Sequence, residues 1–149
     1  MNYPASGPGL GLAWRCRTGE SHRLTVEMTV FEVVADLAGH IFYTTFRGVI
    51  AGDDMAVSSE QSERLISKMK PGFTVVTDLT ELERMELDCI PYLTKLMDLF
   101  LAAGVAREVR VIPDPKRDIG FNLLSITRYR GRVPIATFGT RADADTALG

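Results

Sequence analysis

One apolar run limits the possible folds of this chain more than any other part of its sequence. Residues 73–79, with the sequence FTVVTDL, are rich in β-branched side chains and follow Pro71-Gly72, a pair that ends helices. A nearly continuous apolar strand is typical of a parallel sheet that is covered on both faces. Neighbouring parallel strands need a crossover connection, so this run predicts an α/β architecture.

Segments of strand and helix character alternate on both sides of the run. Residues 29–36 and 40–48 predict an antiparallel pair of strands, and Asp53 and Asp54 indicate the start of a helix that reaches about residue 70. Asp88 is predicted to cap a second helix, with Pro91 in its first turn. Its core stripe follows helical spacing: Ile90, Leu93, Met97, Phe100, Leu101 and Gly104. The later elements are a strand at 107–112, a helix at 117–130, an edge strand at 133–138 and a short helix at 140–147.

Together these elements predict a single α/β domain. Four mostly parallel strands carry helices packed on the sheet, and an antiparallel strand forms the N-terminal edge. The domain is expected to span residues 28–149. Residues 1–27 begin with a segment rich in Gly and Pro and lack a regular apolar face, so they predict a flexible tail.

Charge and composition exclude some classes of function. The net charge of -2 argues against a nucleic-acid binder, which is normally strongly basic. No apolar stretch is long enough for a membrane-spanning helix, so cytoplasmic localisation is the default expectation. Basic residues are concentrated near the C-terminus, where five of them are candidates for binding an anion: Lys116, Arg117, Arg128, Arg130 and Arg132.

The sequence lacks a recognisable set of catalytic or metal-binding residues. Cys16 and Cys89 form no CxxC pair, and neither lies near a histidine at the spacing of metal ligands. We therefore expect neither enzymatic activity, nor a metal, nor a cofactor. Two alternatives remain: a reactive Cys89 at a helix N-terminus, and metal or acid–base chemistry in an acidic loop that follows the central strand, formed by Asp78, Glu81, Glu83, Glu86 and Asp88.

Several short motifs resemble the STAS superfamily, and in particular its SpoIIAA-like branch. They are VVTDLT at 75–80 with Asp88 opening the next helix, FRG at 46–48, VIPD at 111–114 with DIG at 118–120, and PIATF at 134–138. The resemblance implies a sheet-and-helix binding domain without catalysis, related to anti-sigma factor antagonists. In that family a phosphorylated serine at the start of the helix after the central strand acts as a switch. Here Cys89 and Ile90 occupy these positions, so the switch is expected to be absent.

Two functional hypotheses follow. The first is a regulatory module that binds an unidentified protein through the segment after the central strand and the neighbouring loop, with these candidate contact residues: Asp78, Thr80, Asp88, Cys89, Tyr92 and Asp114. A second copy of the chain is a further candidate partner. The alternative is a domain that binds a small molecule or lipid, in which the apolar helix at 90–101 lines a pocket and the basic C-terminal residues hold an anionic group.

Overall fold

A computed structural model describes residues 15–19, 22–114 and 128–149 of the chain. Its strands are β1 (Arg15–Gly19), β2 (Arg23–Glu27), β3 (Phe31–Asp36), β4 (Ile41–Ile50), β5 (Thr74–Met85), β6 (Arg107–Val111) and β7 (Ile135–Phe138). The helices in these ranges are α1 (Gly52–Ile66), α2 (Ile90–Ala103), which follows a short 3₁₀ turn at Leu87–Cys89, and α3 (Arg141–Leu148). The helix predicted at 117–130 falls mainly on residues outside the described ranges.

The described strands form a single sheet in which they lie side by side in sequence order. Strands β1 to β4 are antiparallel to their neighbours, and strands β4 to β7 run parallel to one another. Helices α1 and α2 connect parallel strands. This arrangement confirms the predicted α/β class, with four parallel strands and an antiparallel strand, β3, on their N-terminal side.

The sheet extends further toward the N-terminus than the sequence predicted. Strands β1 and β2 lie within the segment that was expected to be a flexible tail, and they make β3 an interior strand. Leu24 and Val26 alternate with polar residues and are paired with Ala35 and Val33 of β3, which places Val26 in the core. The expectation of a tail is therefore corrected for both strands, because a short alternating pattern is enough to extend an existing sheet.

The two faces of the sheet are covered by different helices. On the face that we call the inner face, α1 and α2 pack on a large apolar core in which Phe100 of α2 makes edge contacts with the rings of Phe42 and Phe73. On the opposite, outer face, α3 packs on a smaller cluster formed by Val76, Val109, Val111 and Ala144. Both faces of β5 are thus buried at its centre, as its apolar sequence predicted.

Helix α2 follows the predicted stripe with two differences. Leu93, Met97 and Phe100 are buried as expected, whereas Ile90 is exposed and Leu96 is buried in its place. The first turn of α2 projects beyond the core, so the apolar stripe begins one turn later. Gly104 ends the helix with a left-handed φ of 90° rather than contributing to its face.

Two other boundaries differ from the sequence prediction. Helix α1 ends at Ile66, and its inward face carries three buried serines in addition to apolar residues: Ser58, Ser59 and Ser62. Strand β5 continues to Met85, so three residues of the expected acidic loop, Asp78, Glu81 and Glu83, belong to a strand that pairs with the end of β4. The other two, Glu86 and Asp88, lie in the turn that follows β5.

Candidate functional site

Asp78, a predicted contact residue, is involved in interactions that organise the fold. Its carboxylate accepts hydrogen bonds from the backbone N–H of Thr80, at 2.9 Å, and from the hydroxyl of Thr80, at 2.5 Å. Arg141, at the start of α3, reaches the other carboxylate oxygen at 3.3 Å, and its guanidinium lies over the ring of Tyr43. Asp78 therefore joins α3 to the sheet, and its side chain is only 13% exposed.

Cys89 lies inside the molecule and cannot contact a partner directly. Its exposure is 0%, and its Sγ–H donates a hydrogen bond to the carbonyl of Ile50 at 3.4 Å. Burial raises the pKa of the Cys89 thiol to about 11, and the nearby negative charge of Asp88 adds to this effect. This environment favours a protonated, inaccessible thiol over a reactive thiolate, and it places Cys89 below the surface that a partner could contact.

Asp88 serves a different helix from the one that the sequence indicated. It makes no capping hydrogen bond to α2, whose N-cap residue is Cys89. Instead its carboxylate lies against Gly52, the first residue of α1, where an added Cβ would come within 2.6 Å of the Asp88 Cγ atom. A carboxylate at the N-terminus of a helix is favoured by the helix dipole. Gly52 thus allows the turn before α2 to approach the start of α1.

Four exposed apolar residues lie on segments near this turn, and we call this group of residues the α2 patch. It consists of Val49 in β4, Leu87 in the 3₁₀ turn, and Ile90 and Tyr92 in the first turn of α2. Their exposed fractions are 40%, 82%, 46% and 36%, respectively. Among the described residues, these four are the large apolar side chains that are exposed. The N–H of Glu86 and the thiol of Cys89 both bond to the Ile50 carbonyl, which brings these segments together.

Acidic residues predominate around the α2 patch. Arg47 pairs with Glu81 at 2.9 Å, and Arg84 pairs with Glu86 at 3.0 Å. Other acidic side chains on the same segments form no ion pair within the described ranges: Asp53, Glu83 and Asp88. The carboxylates are distributed along β5 and the turn, and the described residues contain no cluster of three or more side chains suited to hold a metal ion.

Sequence reasoning located this end of the molecule but missed three of the four apolar residues. Tyr92 and Asp88 were predicted contact residues, and both are exposed here. Val49 and Leu87 were overlooked because a single apolar residue at an element boundary has no periodic signal. Ile90 was assigned to the core stripe, although a position before Pro91 at a helix start is less constrained by packing than a position in mid-helix.

The other predicted residues lie elsewhere. Asp114 is exposed after the end of β6. Of the basic residues, Lys116 and Arg117 are outside the described ranges, and Arg128 donates hydrogen bonds to the carboxylate of Asp98. Arg130 and Arg132 are exposed in the turn before β7. The apolar face of α2, which was the predicted wall of a ligand pocket, packs on the inner face of the sheet and leaves a cavity there of about 20 Å³.

No described helix is long and apolar enough to cross a membrane.

No family model matches the sequence, and no curated protein matches it. The structure is similar to that of the anti-sigma factor antagonist SpoIIAA in its unphosphorylated form, with a TM-score of 0.56 and 14% identity over 80% of this chain and 97% of SpoIIAA. It is also similar to a DUF3478 protein from Shewanella loihica PV-4, with a TM-score of 0.54 and 13% identity over 97% of this chain and 98% of that protein. The chain has a SpoIIAA-like fold.

Proposed function

We propose that this protein is a regulatory interaction module without enzymatic activity, which binds a protein partner through the α2 patch. The observation that carries the proposal is that four exposed apolar side chains, interspersed with charged residues, lie on segments that meet near the start of α2. Contiguous apolar surface with a polar border is characteristic of protein interaction sites. One protein of the same fold is an anti-sigma factor antagonist, which acts on another protein, and this supports a regulatory role.

Binding through the α2 patch is proposed to be constitutive. Ile90 has no hydroxyl group, and Cys89 is buried, so neither offers a site for a phosphate at the start of α2. Thr80 is exposed, but its hydroxyl donates to Asp78 on the side of the sheet that carries α3. The affinity of the patch for its partner is then set by apolar contact and by the acidic border, without a phosphate switch at positions 89 and 90.

The test compares a patch variant with a matched surface variant. Leu87→Ser combined with Ile90→Ser removes two exposed apolar side chains, and Lys68→Ser combined with Lys70→Ser alters two exposed residues near the far end of α1. Each protein is immobilised, and its partners are captured from a lysate with a photo-crosslinker at residue 49 and identified by mass spectrometry.

The proposal expects a specific partner that is retained by the wild type and by the lysine variant and is lost from the Leu87 and Ile90 variant. Melting temperatures should agree among the three proteins, because all four replaced side chains are exposed. An identical set of crosslinked partners for the two variants would contradict binding through the α2 patch. Crosslinking to a second copy of the chain would identify the partner as the protein itself.

A further inference from the structure

A group of polar side chains interrupts the apolar core on the inner face of the sheet. Thr44, Thr77, Glu108 and Arg110 are all at least nine-tenths buried. Thr44 is paired with Thr77, and Thr77 with Arg110, so these residues extend across β4, β5 and β6 on the face that α2 covers. Since burial of polar groups is costly unless they are hydrogen-bonded, each of these groups needs a partner.

Three of these side chains form hydrogen bonds with one another. Arg110 donates two hydrogen bonds to Glu108, from Nε at 3.3 Å and from the second guanidinium nitrogen at 3.0 Å. The hydroxyl of Thr77 donates to Oε1 of Glu108 at 3.3 Å. A carboxylate can accept about four hydrogen bonds. Three are accounted for here, so Glu108 retains capacity to accept from a further donor.

Two hydroxyl groups close to this carboxylate have no hydrogen-bond partner among the described residues. They are Oγ1 of Thr44 and Oη of Tyr129, which are 2% and 1% exposed. Burial raises the pKa of Tyr129 far above its ordinary value, and the charge of Glu108 adds to the effect. The phenol therefore stays protonated and remains a hydrogen-bond donor in need of an acceptor.

These groups surround one cavity. Thr44, Thr77, Glu108 and Tyr129 form its polar wall, and Met97 and Phe100 of α2 contribute to its apolar wall. Its volume of about 20 Å³ exceeds the roughly 10–15 Å³ that one water molecule requires. Buried waters typically make about three hydrogen bonds. This cavity offers two hydroxyl groups that lack a partner, on Thr44 and Tyr129, and a Glu108 carboxylate that can accept one more hydrogen bond.

We propose that the cavity is a binding site for one buried water molecule. The water accepts a hydrogen bond from the Tyr129 hydroxyl and donates one to the Glu108 carboxylate. It forms a third hydrogen bond with the Thr44 hydroxyl, in which either group can be the donor. It thereby connects the segment before β7 to strands β4 and β6, and it satisfies two hydroxyl groups that would otherwise be unpaired. This inference concerns the interior of the fold and stands independently of the proposed partner surface.

The experiment uses crystal structures of the full chain at a resolution that shows ordered water. The variants are Tyr129→Phe, Thr44→Val and their combination, with Thr45→Val as the matched control. Thr45 is adjacent to Thr44 in β4 but points to the other face of the sheet, since strand side chains alternate. Oxygen-17 relaxation dispersion in solution counts long-lived internal waters of the same proteins.

The wild type and Thr45→Val should each show one peak within about 2.5–3.0 Å of the Tyr129 hydroxyl and the Glu108 carboxylate, the ordinary range for O–H···O hydrogen bonds. The combined variant should lose this peak and one long-lived water. A wild-type structure without the peak, or with a direct bond from Tyr129 to Glu108, would overturn the proposal, and so would density larger than a water. If the combined variant fails to fold, the wild-type density and water count decide the outcome.

Discussion

The chemistry of a single thiol depends on a contact that is distant in sequence. Cys89 precedes the first residue of α2, a position where an exposed thiol would have a lowered pKa. The Ile50 carbonyl and the surrounding core remove it from water instead, and its pKa rises to about 11. A residue's environment thus outweighs its position relative to a helix dipole when the two act in opposite directions.

We predict that Cys89 is nearly unreactive in the folded protein. The experiment uses the Cys16→Ser variant, in which Cys89 is the remaining cysteine. A pKa of about 11 rather than the ordinary 9.0 lowers the thiolate fraction of Cys89 about 100-fold at pH 8, and burial further limits the access of a reagent. The measurement is the rate of reaction with Ellman's reagent with and without guanidinium chloride, and Cys89→Ser is the blank. Rapid reaction of the native protein would show that the thiol is accessible and the assigned burial wrong.

Single residues also show why the candidate site could be located only in part from the sequence. Asp88 was recognisable as a residue at a helix start, but which helix its carboxylate approaches depends on the packing of Gly52. Asp78 was recognisable as the polar end of a buried run, whereas its partner Arg141 lies more than sixty positions away in the sequence. Local chemistry identifies such groups, and tertiary contacts determine what they do.

At the scale of elements, strong periodic patterns were predictable and short ones were not. The apolar centre of β5 and the stripe of α2 each carry several aligned residues, so their type was evident. Strand β2 has two inward residues, Leu24 and Val26, which is too little for a reliable signal. The second half of β5, up to Met85, has the composition of a loop, and it forms a strand because β4 is long enough to pair with it.

Removal of β1 and β2 should destabilise the domain. A chain of residues 28–149 loses Val26 from the core and exposes the edge of β3. The burial of one valine side chain contributes about 2 kcal/mol to the free energy of unfolding, so at least this much stability should be lost. This loss should lower the melting temperature by about 5 °C. The control is a chain of residues 15–149, which retains both strands. Equal melting temperatures for the two chains, measured by calorimetry, would show that β2 contributes nothing to stability.

At the scale of the whole molecule, the residues of the proposed binding surface lie at the edge of the main core. The large core lies between the sheet and the helices α1 and α2, and the α2 patch lies at the rim where this core ends. The exposed apolar residues are therefore attached to packed elements, so the proposed binding through them would require little ordering of the chain. Such preorganisation reduces the entropic cost of association.

The position of each strand in the sheet should set its rate of amide hydrogen exchange. Residues 74–78 of β5 are flanked by β4 and β6, and the buried centre of this stretch is covered on both faces, so their amides should open only with global unfolding. Among the described residues, the second half of β5 pairs with β4 alone and is mostly exposed, and β7 lies at the edge of the described sheet. Both should exchange at least about tenfold faster than the centre of β5, since local opening costs less free energy than global unfolding. Exchange measured by mass spectrometry on overlapping peptides tests this order, and uniform protection along β5 would contradict it.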